Sequence, residues 1–467
     1  MLYWFCMDMR FAPHFSCNTK DFKQEDFLDM DTISTLRALS EEMRGELTSI
    51  RRDFHRYPET GWLEMRTSAI IAKMLTELGY EVLTGRDVCL EGARMGLPPK
   101  AKIDAHAERV MAQGIPAEYF TDDMREGFTG VIGILRCGEG PTLAMRFDID
   151  ALGMIECPEE SHRPTREGFA SQNPGMMHAC GHDAHATIGL GVAKALMAMK
   201  NELRGTLKLI FQPGEEGARG AKAIVAKGHL DDVDYFIGSH VAPTKDLDDG
   251  DVTPGTYGSL ATTKYDVTFT GLAAHAGGYP ERGRSALVAA ASAVLALHAI
   301  PRHSAGQSRI NVGTLHAGTG RNVIADKAVM EIEVRGETTE INRFMAEAAR
   351  NACMGAAMMH GCTCEITTMG EAEGQESDVA LLERIAGIVS RDLPHLTVSS
   401  VKNAQNWGSE DISVMMNRVQ EHGGQATYMR VMTDMASAQH TVRFDFDEIV
   451  LPRGVEVFSA AALDILK

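Results

Sequence analysis

Apolar residues at Ile33, Leu36, Leu39, Met43, Leu47 and Ile50 recur every three or four positions, which predicts one amphipathic helix over Thr32–Arg52. The segment Phe54-His55-Arg56-Tyr57-Pro58-Glu59 breaks that rhythm. Helical spacing resumes from Glu64 to Leu78, stops at Gly79 and gives way to a short strand, Tyr80–Leu83. Residues 87–127 follow no compact rhythm: Pro98, Pro99 and Pro116 punctuate a charged, Ala-rich helical piece, Ile103–Gln113, and the stretch reads as an insertion rather than a core element. Two strands follow, Gly130–Arg136 and Pro141–Phe147, joined by the turn Cys137-Gly138-Glu139-Gly140. Helix and strand then alternate as helix Ala184–Lys200, strand Gly205–Gln212, helix Ala218–Lys227 and strand Tyr235–Gly238. Crossovers of that length imply parallel pairing with helices on the sheet faces, an α/β fold around a mixed, largely parallel sheet.

The pattern changes near Thr253. Ala261–Thr270 alternates as a strand, Gly271–Gly283 is a glycine-rich loop, and Ser285–Leu297 is an Ala-rich helix. Strands Ser308–Leu315 and Val323–Val334, helix Glu340–Met358 and strand Cys362–Thr368 complete a β-α-β-β-α-β order, which predicts a ferredoxin-like α+β sandwich of about 115 residues. It is an insertion, because α/β character resumes with helix Ser377–Ser390, a helix-like piece to Arg418, strand Gln425–Val431 and a closing helix from Glu448. The expected organisation is an extension over 1–30, an α/β domain over 31–253 with its own insertion at 87–127, an inserted domain over 254–371, and a return to the α/β domain over 372–467.

Composition narrows the function classes. A chain of 467 residues, 44% hydrophobic, is long enough for two cores. Its 46 Lys+Arg against 64 Asp+Glu give a formal charge of −18, which argues against nucleic acid or an anionic membrane as partner. Nine cysteines with no framework spacing point to reduced thiols and a cytoplasmic setting, with one thiol available as a ligand. No run approaches the roughly 18 apolar residues of a membrane helix, and Met1–Phe15 lacks the basic and apolar regions of a signal peptide.

Candidate chemistry concentrates in His178-Ala179-Cys180-Gly181-His182-Asp183-Ala184-His185, three imidazoles, a thiol and a carboxylate in eight residues. A Gly-containing turn lets donors two apart converge on one ion, which neither helix spacing nor strand alternation does easily. The plainer reading is a polar turn whose histidines bond locally. Asp148 and Asp150 end an apolar strand, where open α/β sheets place their chemistry. Glu215-Glu216 follows another strand. Neighbours in extended backbone point to opposite sides, so one carboxylate can hold an ion while the other addresses water; two acids decorating a helix start would look the same. His240 and His440 also follow strand-like segments, and alone neither persuades.

Taken together, Arg52-Asp53-Phe54-His55, Asp148-Ile149-Asp150-Ala151-Leu152, the 178–185 cluster, Gln212-Pro213-Gly214-Glu215-Glu216-Gly217, Gly271-Leu272-Ala273-Ala274-His275-Ala276-Gly277, Arg321-Asn322-Val323-Ile324 and Gly408-Ser409-Glu410-Asp411 resemble the M20 metallopeptidase and amidohydrolase family. The branch is the one whose first ligand is cysteine, which includes hydrolases of hippurate and of indole-acetyl amino acids, and the match runs in order from residue 32 to 467. Arg94-Met95-Gly96-Leu97-Pro98, Ser161-His162-Arg163-Pro164 and Asp231-Asp232-Val233-Asp234-Tyr235-Phe236 are similar to aminobenzoyl-glutamate hydrolases of that branch.

The resemblance implies a metallohydrolase domain with a lid and dimerisation domain inserted. Cys180 would bridge two divalent ions as thiolate, with His182, Glu216, His240 and His440 as further ligands. Glu215 would be general base and then acid. His275 on the lid would polarise the scissile carbonyl, in this family frequently from the partner subunit, and Asn322, helped by Arg321, would contact the substrate's carboxylate. Asp150 and Asp183 would hold ligand imidazoles by their other nitrogen, with His178 and His185 as outer supports. Gly214, where many relatives carry alanine, and Gln439-His440-Thr441 depart from the usual pattern, the latter touching the register of the last ligand.

Thiolate and imidazole favour zinc on softness, whereas the resemblance implies manganese, which is placed first. The implied substrate is N-(4-aminobenzoyl)-L-glutamate, with other N-acyl or N-aroyl amino acids and dipeptides as alternatives. The implied partner is a second copy or a homologous second subunit. A reading of another class is a non-catalytic binding or regulatory subunit, against which the full ligand set and Glu215 argue.

Overall fold

The computed structural model describes residues 30–244, 250–399, 404–405 and 408–467. The expected N-terminal extension up to residue 29 and Trp407 lie outside the described residues. The first predicted helix is two, α1 (Met30–Glu42) and α2 (Arg44–Arg56). Met43 between them keeps helical dihedrals, its N–H bonds to Leu39 O and its own carbonyl accepts from Leu47 N, so the apolar stripe runs on across the junction. The helix also continues through His55, which faces inward and is wholly buried. Helix α3 (Met65–Leu78) ends at Gly79, as its left-handed φ of 94° requires.

A seven-stranded sheet is the frame, in the order β1 (Glu81–Thr84), β2 (Val131–Arg136), β4 (Thr206–Gln212), β3 (Thr142–Asp148), β5 (Tyr235–Pro243), β14 (Gln425–Thr433), β6 (Val252–Thr253). The four central strands are parallel and both flanks are antiparallel, so the sheet is mixed and largely parallel as expected. The turn after β2 leads to β3, yet the two do not pair: β4 lies between them. From β3 the chain passes through α7 (His182–Ala198) to β4 on one side, then through α8 (Ala221–Val225) to β5 on the other. The carboxyl end of β3 is therefore the switch point where an open sheet forms a crevice.

Two cores cover the sheet. One contains Leu47, Phe54, Leu75, Phe147, Leu196, Phe211, Val455 and Phe458, from α2, α3, α7, α13 (Val450–Ile465) and strands; the other contains Trp62, Phe128, Ile210, Phe236, Ile412 and Met416 under α8 and α12 (Ile412–Glu421). Residues 87–127 are more integral than expected. Ile103, Ala107 and Val110 of α4 (Lys100–Ala112) and Met124 of α5 (Asp122–Arg125) enter the first core, because their apolar positions recur at helical spacing despite the flanking prolines. A small α6 (Arg163–Arg166) precedes the cluster turn, and α11 (Val379–Asp392) packs against α13.

Strands β8 (Ala261–Thr270), β9 (Ser308–Ala317), β10 (Lys327–Gly336) and β11 (Thr363–Ala372) make a separate antiparallel sheet in the order β11-β8-β10-β9. Helices α9 (Ala286–His298) and α10 (Thr339–Met359) cover one face, over Tyr265, Val267, Phe269, Met330 and Val334. Both helices start on hydroxyl caps, Ser285 accepting from Val288 N and Thr338 from Ile341 N. The β-α-β-β-α-β order matches the sequence reading, with β10 starting at Lys327 because Val323 bridges to His275 in the glycine-rich loop. A three-stranded sheet, β12 (Gln375–Glu376), β7 (Thr256–Ser259) and β13 (Ala404–Gln405), lies at the crossing between the two units.

Candidate metal centre

The donors meet at the carboxyl ends of the parallel strands. Gly181, φ 100°, turns the chain into α7 so that Cys180 precedes the helix and His182 opens it; a Cβ there would collide with Val241. Residue 181 is thus restricted to glycine by both dihedral and space. His182 directs Nδ1 to Asp150 O at 2.9 Å, and its buried Nε2 has no hydrogen-bond partner. His240, in the second half of β5, which runs on past the predicted end at Gly238, directs Nδ1 to Val241 O at 2.6 Å and brings Nε2 to 3.4 Å from Cys180 Sγ. Both rings commit Nδ1–H to a carbonyl and leave the Nε2 lone pair facing the cluster, the tautomer of a metal-ligating imidazole.

Glu216 leaves Oε1 without a hydrogen-bond partner, 3.4 Å from His440 Nε2. His440 takes a left-handed φ of 61°, and its N–H bonds to Ala179 O at 2.7 Å, tying its loop to the Cys180 turn. Gln439 does not meet Glu216, its amide lying against Cys180 O, Val241 O and His240 Nδ1, so in this register His440 is the imidazole that meets Glu216. Donor atoms of Cys180, His182 and His240, of Cys180, Glu216 and His440, and of His182, Glu215 and Glu216 lie within 4.8 Å of one another in each group. Asp148, His182 and His185 form a further such group, but His185 has no lone pair to give: Nδ1 bonds to Asp148 and Nε2 accepts from Val241 N at 2.9 Å.

The supporting residues divide. Asp150 accepts the N–H groups of Glu215 and Glu216 at 3.0 and 2.9 Å and lies 3.3 Å from His182 Nδ1, so it holds both the glutamate loop and a ligand ring. Asp183 points away from the cluster, to Arg51 Nε at 2.9 Å and His55 Nδ1 at 2.8 Å, and is not paired with a ligand imidazole. His178 is buried with both ring nitrogens unpartnered.

Charge explains what such a site needs. Burial, with Glu410, Asp411 and Glu216 close by, pushes the Glu215 carboxyl well above its ordinary value, and burial raises Glu216 to about 7 against the pull of His182. Burial likewise lifts the Cys180 thiol, which His182 offsets only in part. Arg146, wholly buried, answers Asp148 at 2.5 Å and Asp411 at 3.2 Å. A thiol and this many carboxylates around one guanidinium favour bound cations, and the orphaned Nε2 and Oε1 atoms face that position, so the residues present fit divalent metal.

Sequence marked Asp148 only as an acid at a strand end and Glu410 and Asp411 only as part of a motif, without a role for any of them, and did not mark Arg146 at all. Arg146 and Asp148 alternate at the end of β3, a usable signal; Glu410 and Asp411 arrive from a distant loop whose position only the fold supplies. The lid residues remain apart. His275, Arg321 and Asn322 are exposed, His275 Nδ1 accepts from Gly277 N and Gly278 N, and Asn322 O accepts from Ala276 N. Among the described residues no hydrogen bond or ion pair joins these three to the cluster. Nor is any helix there long and apolar enough to cross a membrane.

Residues 144–464 match the family model described as Peptidase family M20/M25/M40. The chain is 47% identical over 420 residues to an indole-3-acetyl-aspartic acid hydrolase from Enterobacter agglomerans, covering 90% of this chain and 95% of that protein. It is 44% identical over 440 residues to a subunit of p-aminobenzoyl-glutamate hydrolase from Escherichia coli K12, covering 92% and 98%. The crystal structure of an aminobenzoyl-glutamate utilization protein from Klebsiella pneumoniae superposes with a TM-score of 0.79 at 39% identity, over 93% of this chain and 98% of that one.

Proposed function

The chain belongs to peptidase family M20/M25/M40 and is a hydrolase, and from that premise we propose that it cleaves the amide bond of N-(4-aminobenzoyl)-L-glutamate, releasing 4-aminobenzoate and glutamate. One observation carries the proposal. Two imidazoles with Nδ1–H committed to carbonyls, a thiol and an orphaned carboxylate oxygen converge beside a second carboxylate whose pKa is raised.

In this reading Cys180, as thiolate, with His182, Glu216, His240 and His440, would hold two divalent ions, manganese ahead of zinc. Bound there, the ions supply Lewis acidity to the scissile carbonyl and to the attacking water. Glu215 accepts the water proton at its carboxylate and returns it to the amide nitrogen as the C–N bond breaks, a double duty suited to an acid raised by burial. Asp150 keeps Glu215 and Glu216 in register through their backbone N–H groups. His275 donates to the developing oxyanion, and Asn322 and Arg321 hold the substrate's α-carboxylate. Because these three are exposed and unattached to the cluster, the lid works by closing or by serving, across the apolar lid helices, the site of a second copy or of a homologous subunit.

The similarity to an indole-3-acetyl-aspartic acid hydrolase favours, as a second reading, a broader range of N-acyl amino acids. A panel of aminobenzoyl, benzoyl, indole-acetyl and acetyl conjugates of glutamate and aspartate, run with manganese and then with zinc, decides between them. Preference for aminobenzoyl-glutamate with manganese supports the proposal. Preference for acetyl conjugates contradicts it.

A further inference from the structure

The segment 408–411 grips both units of the molecule. Toward the four-stranded sheet, Leu260 N donates to Gly408 O at 3.0 Å, Ser409 Oγ donates to Leu260 O at 2.6 Å, and Arg335 of β10 reaches Ser409 Oγ at 3.4 Å. Leu260 immediately precedes β8, so these bonds sit at the root of the lid. Toward the centre, Asp411 is 1% exposed and accepts four hydrogen bonds. Arg146 Nη2 and Gln212 Nε2 reach Oδ1 at 3.2 and 2.7 Å, and Gly220 N and Ala221 N reach Oδ2 at 3.1 and 2.9 Å. Glu410, the residue before it, lies close enough to Glu215 for its charge to push that carboxyl up.

The loop that carries Glu215 and Glu216 therefore ends on Asp411. It also touches the lid at a second place. Glu371 N, in β11, donates to Ala218 O at 2.8 Å, Lys222 pairs with the Glu371 carboxylate, and Gly370 packs so tightly on Gly217 O that any Cβ would collide with it. One lid crossing, at β11, thus touches the Glu215-Glu216 loop directly, and the other, at the root of β8, reaches it through the 408–411 segment.

We infer that Asp411 is a positioning residue that couples the seating of the lid, through Ser409 and Leu260, to the placement of the Glu215-Glu216 loop. The role deepens the proposed function, resting on Glu215 as the base. All four partners of Asp411 are donors, and Arg146 Nε fixes the Gln212 amide by donating to its Oε1 at 2.8 Å, so Gln212 cannot turn to offer an acceptor. An asparagine at 411 keeps the shape and sets an N–H group against a donor in either orientation.

The test uses the full-length, metal-loaded protein and the variants Asp411→Asn, Ser409→Ala and their combination. Steady-state kinetics on the best substrate of the panel are read beside hydrogen exchange of the peptide spanning 214–222. Asp411→Asn is expected to lower kcat about tenfold or more, since small displacements of reacting groups cost this much, with KM within about twofold and metal content unchanged. Ser409→Ala, away from the centre, is expected to speed exchange at 220–221 and to lower kcat a few-fold, with no further loss when added to Asp411→Asn. Unchanged kcat in Asp411→Asn, unchanged exchange in Ser409→Ala, or fully additive losses would each overturn the coupling. A wild type inactive on every N-acyl amino acid overturns the functional reading instead, while the exchange arm still reads the coupling; should Asp411→Asn not fold, Ser409→Ala alone carries that arm.

Discussion

The metal-centre cluster and the lid trio are built in opposite ways. Cys180, His182, Glu216 and His240 sit where four parallel strands end, their backbones fixed by Gly181 and Asp150, their unused atoms turned toward one another. His275, Arg321 and Asn322 lie on exposed loops of another sheet, where His275 accepts from Gly277 and Gly278 and Asn322 from Ala276. One set is preorganised within a single unit, where on the proposed function it would hold the cations. On the same proposal the other would reach the cluster only by relative motion or in a second body. The proposal therefore makes metal binding and completion of the oxyanion site separable, and variants should divide along that line.

The largest expected effect falls on the preorganised side. Glu215→Gln should keep its metal and lose turnover by about 10²–10⁴-fold, the span of a lost general base; full turnover with metal bound would remove Glu215 from that role. Next comes the lid. His275→Ala should cost about 10²–10³-fold in kcat, as for a missing oxyanion donor, again without loss of metal. Mixing His275→Ala with Glu215→Gln protein sharpens the comparison, because recovered activity means that the lid of one subunit serves the site of another, and no recovery means that each lid closes on its own chain.

Behind the cluster, Arg51 has no exposed surface and pairs with Asp183 and Asp445. Arg51→Ala should destabilise the fold by roughly 3–5 kcal/mol, since it strands buried carboxylates, measured by denaturant unfolding; a change under about 1 kcal/mol would mean that the site tolerates reorganisation. The smallest effect concerns pH. Burial would raise Asp445 and Glu448, but hydrogen bonds and charge from Arg163, Arg51 and Arg52 hold both below their ordinary values. Their contribution is then fully present above the unfolded carboxylate range, near about pH 4, and is lost as pH falls through the lowered folded values. The acid limb of unfolding should shift toward neutrality in Arg163→Ala and not in lid variants such as Arg321→Ala.

Much of this division was legible in the chain. Periodicity gave the helices and strands of both units, because each buries one face and its apolar positions repeat accordingly. Density of ligand types located Cys180 and His182, and adjacency located Glu215 and Glu216. Sequence did not reveal that Asp183 turns away to Arg51 and His55, since neighbours at a helix start point in different directions and only packing decides which way. It gave no role to Arg146, or to Glu410 and Asp411 of the quoted motif, for a related reason: their meaning lies in the crossing of β3, β4 and the 408–411 loop, where Asp411 meets Arg146 and Gln212 from 265 and 199 positions away. It also read 87–127 as a peripheral insertion, although Ile103, Ala107 and Val110 enter the main core, because prolines and charge masked the helical spacing.

Counting metal on the purified chain tests the central claim most directly. Elemental analysis of protein grown with ample manganese and zinc should find about two divalent ions per chain in the wild type, and fewer than one in Cys180→Ala, which loses a donor shared by two of the groups. A wild-type chain that hydrolyses its substrate with metal content near zero would contradict the account.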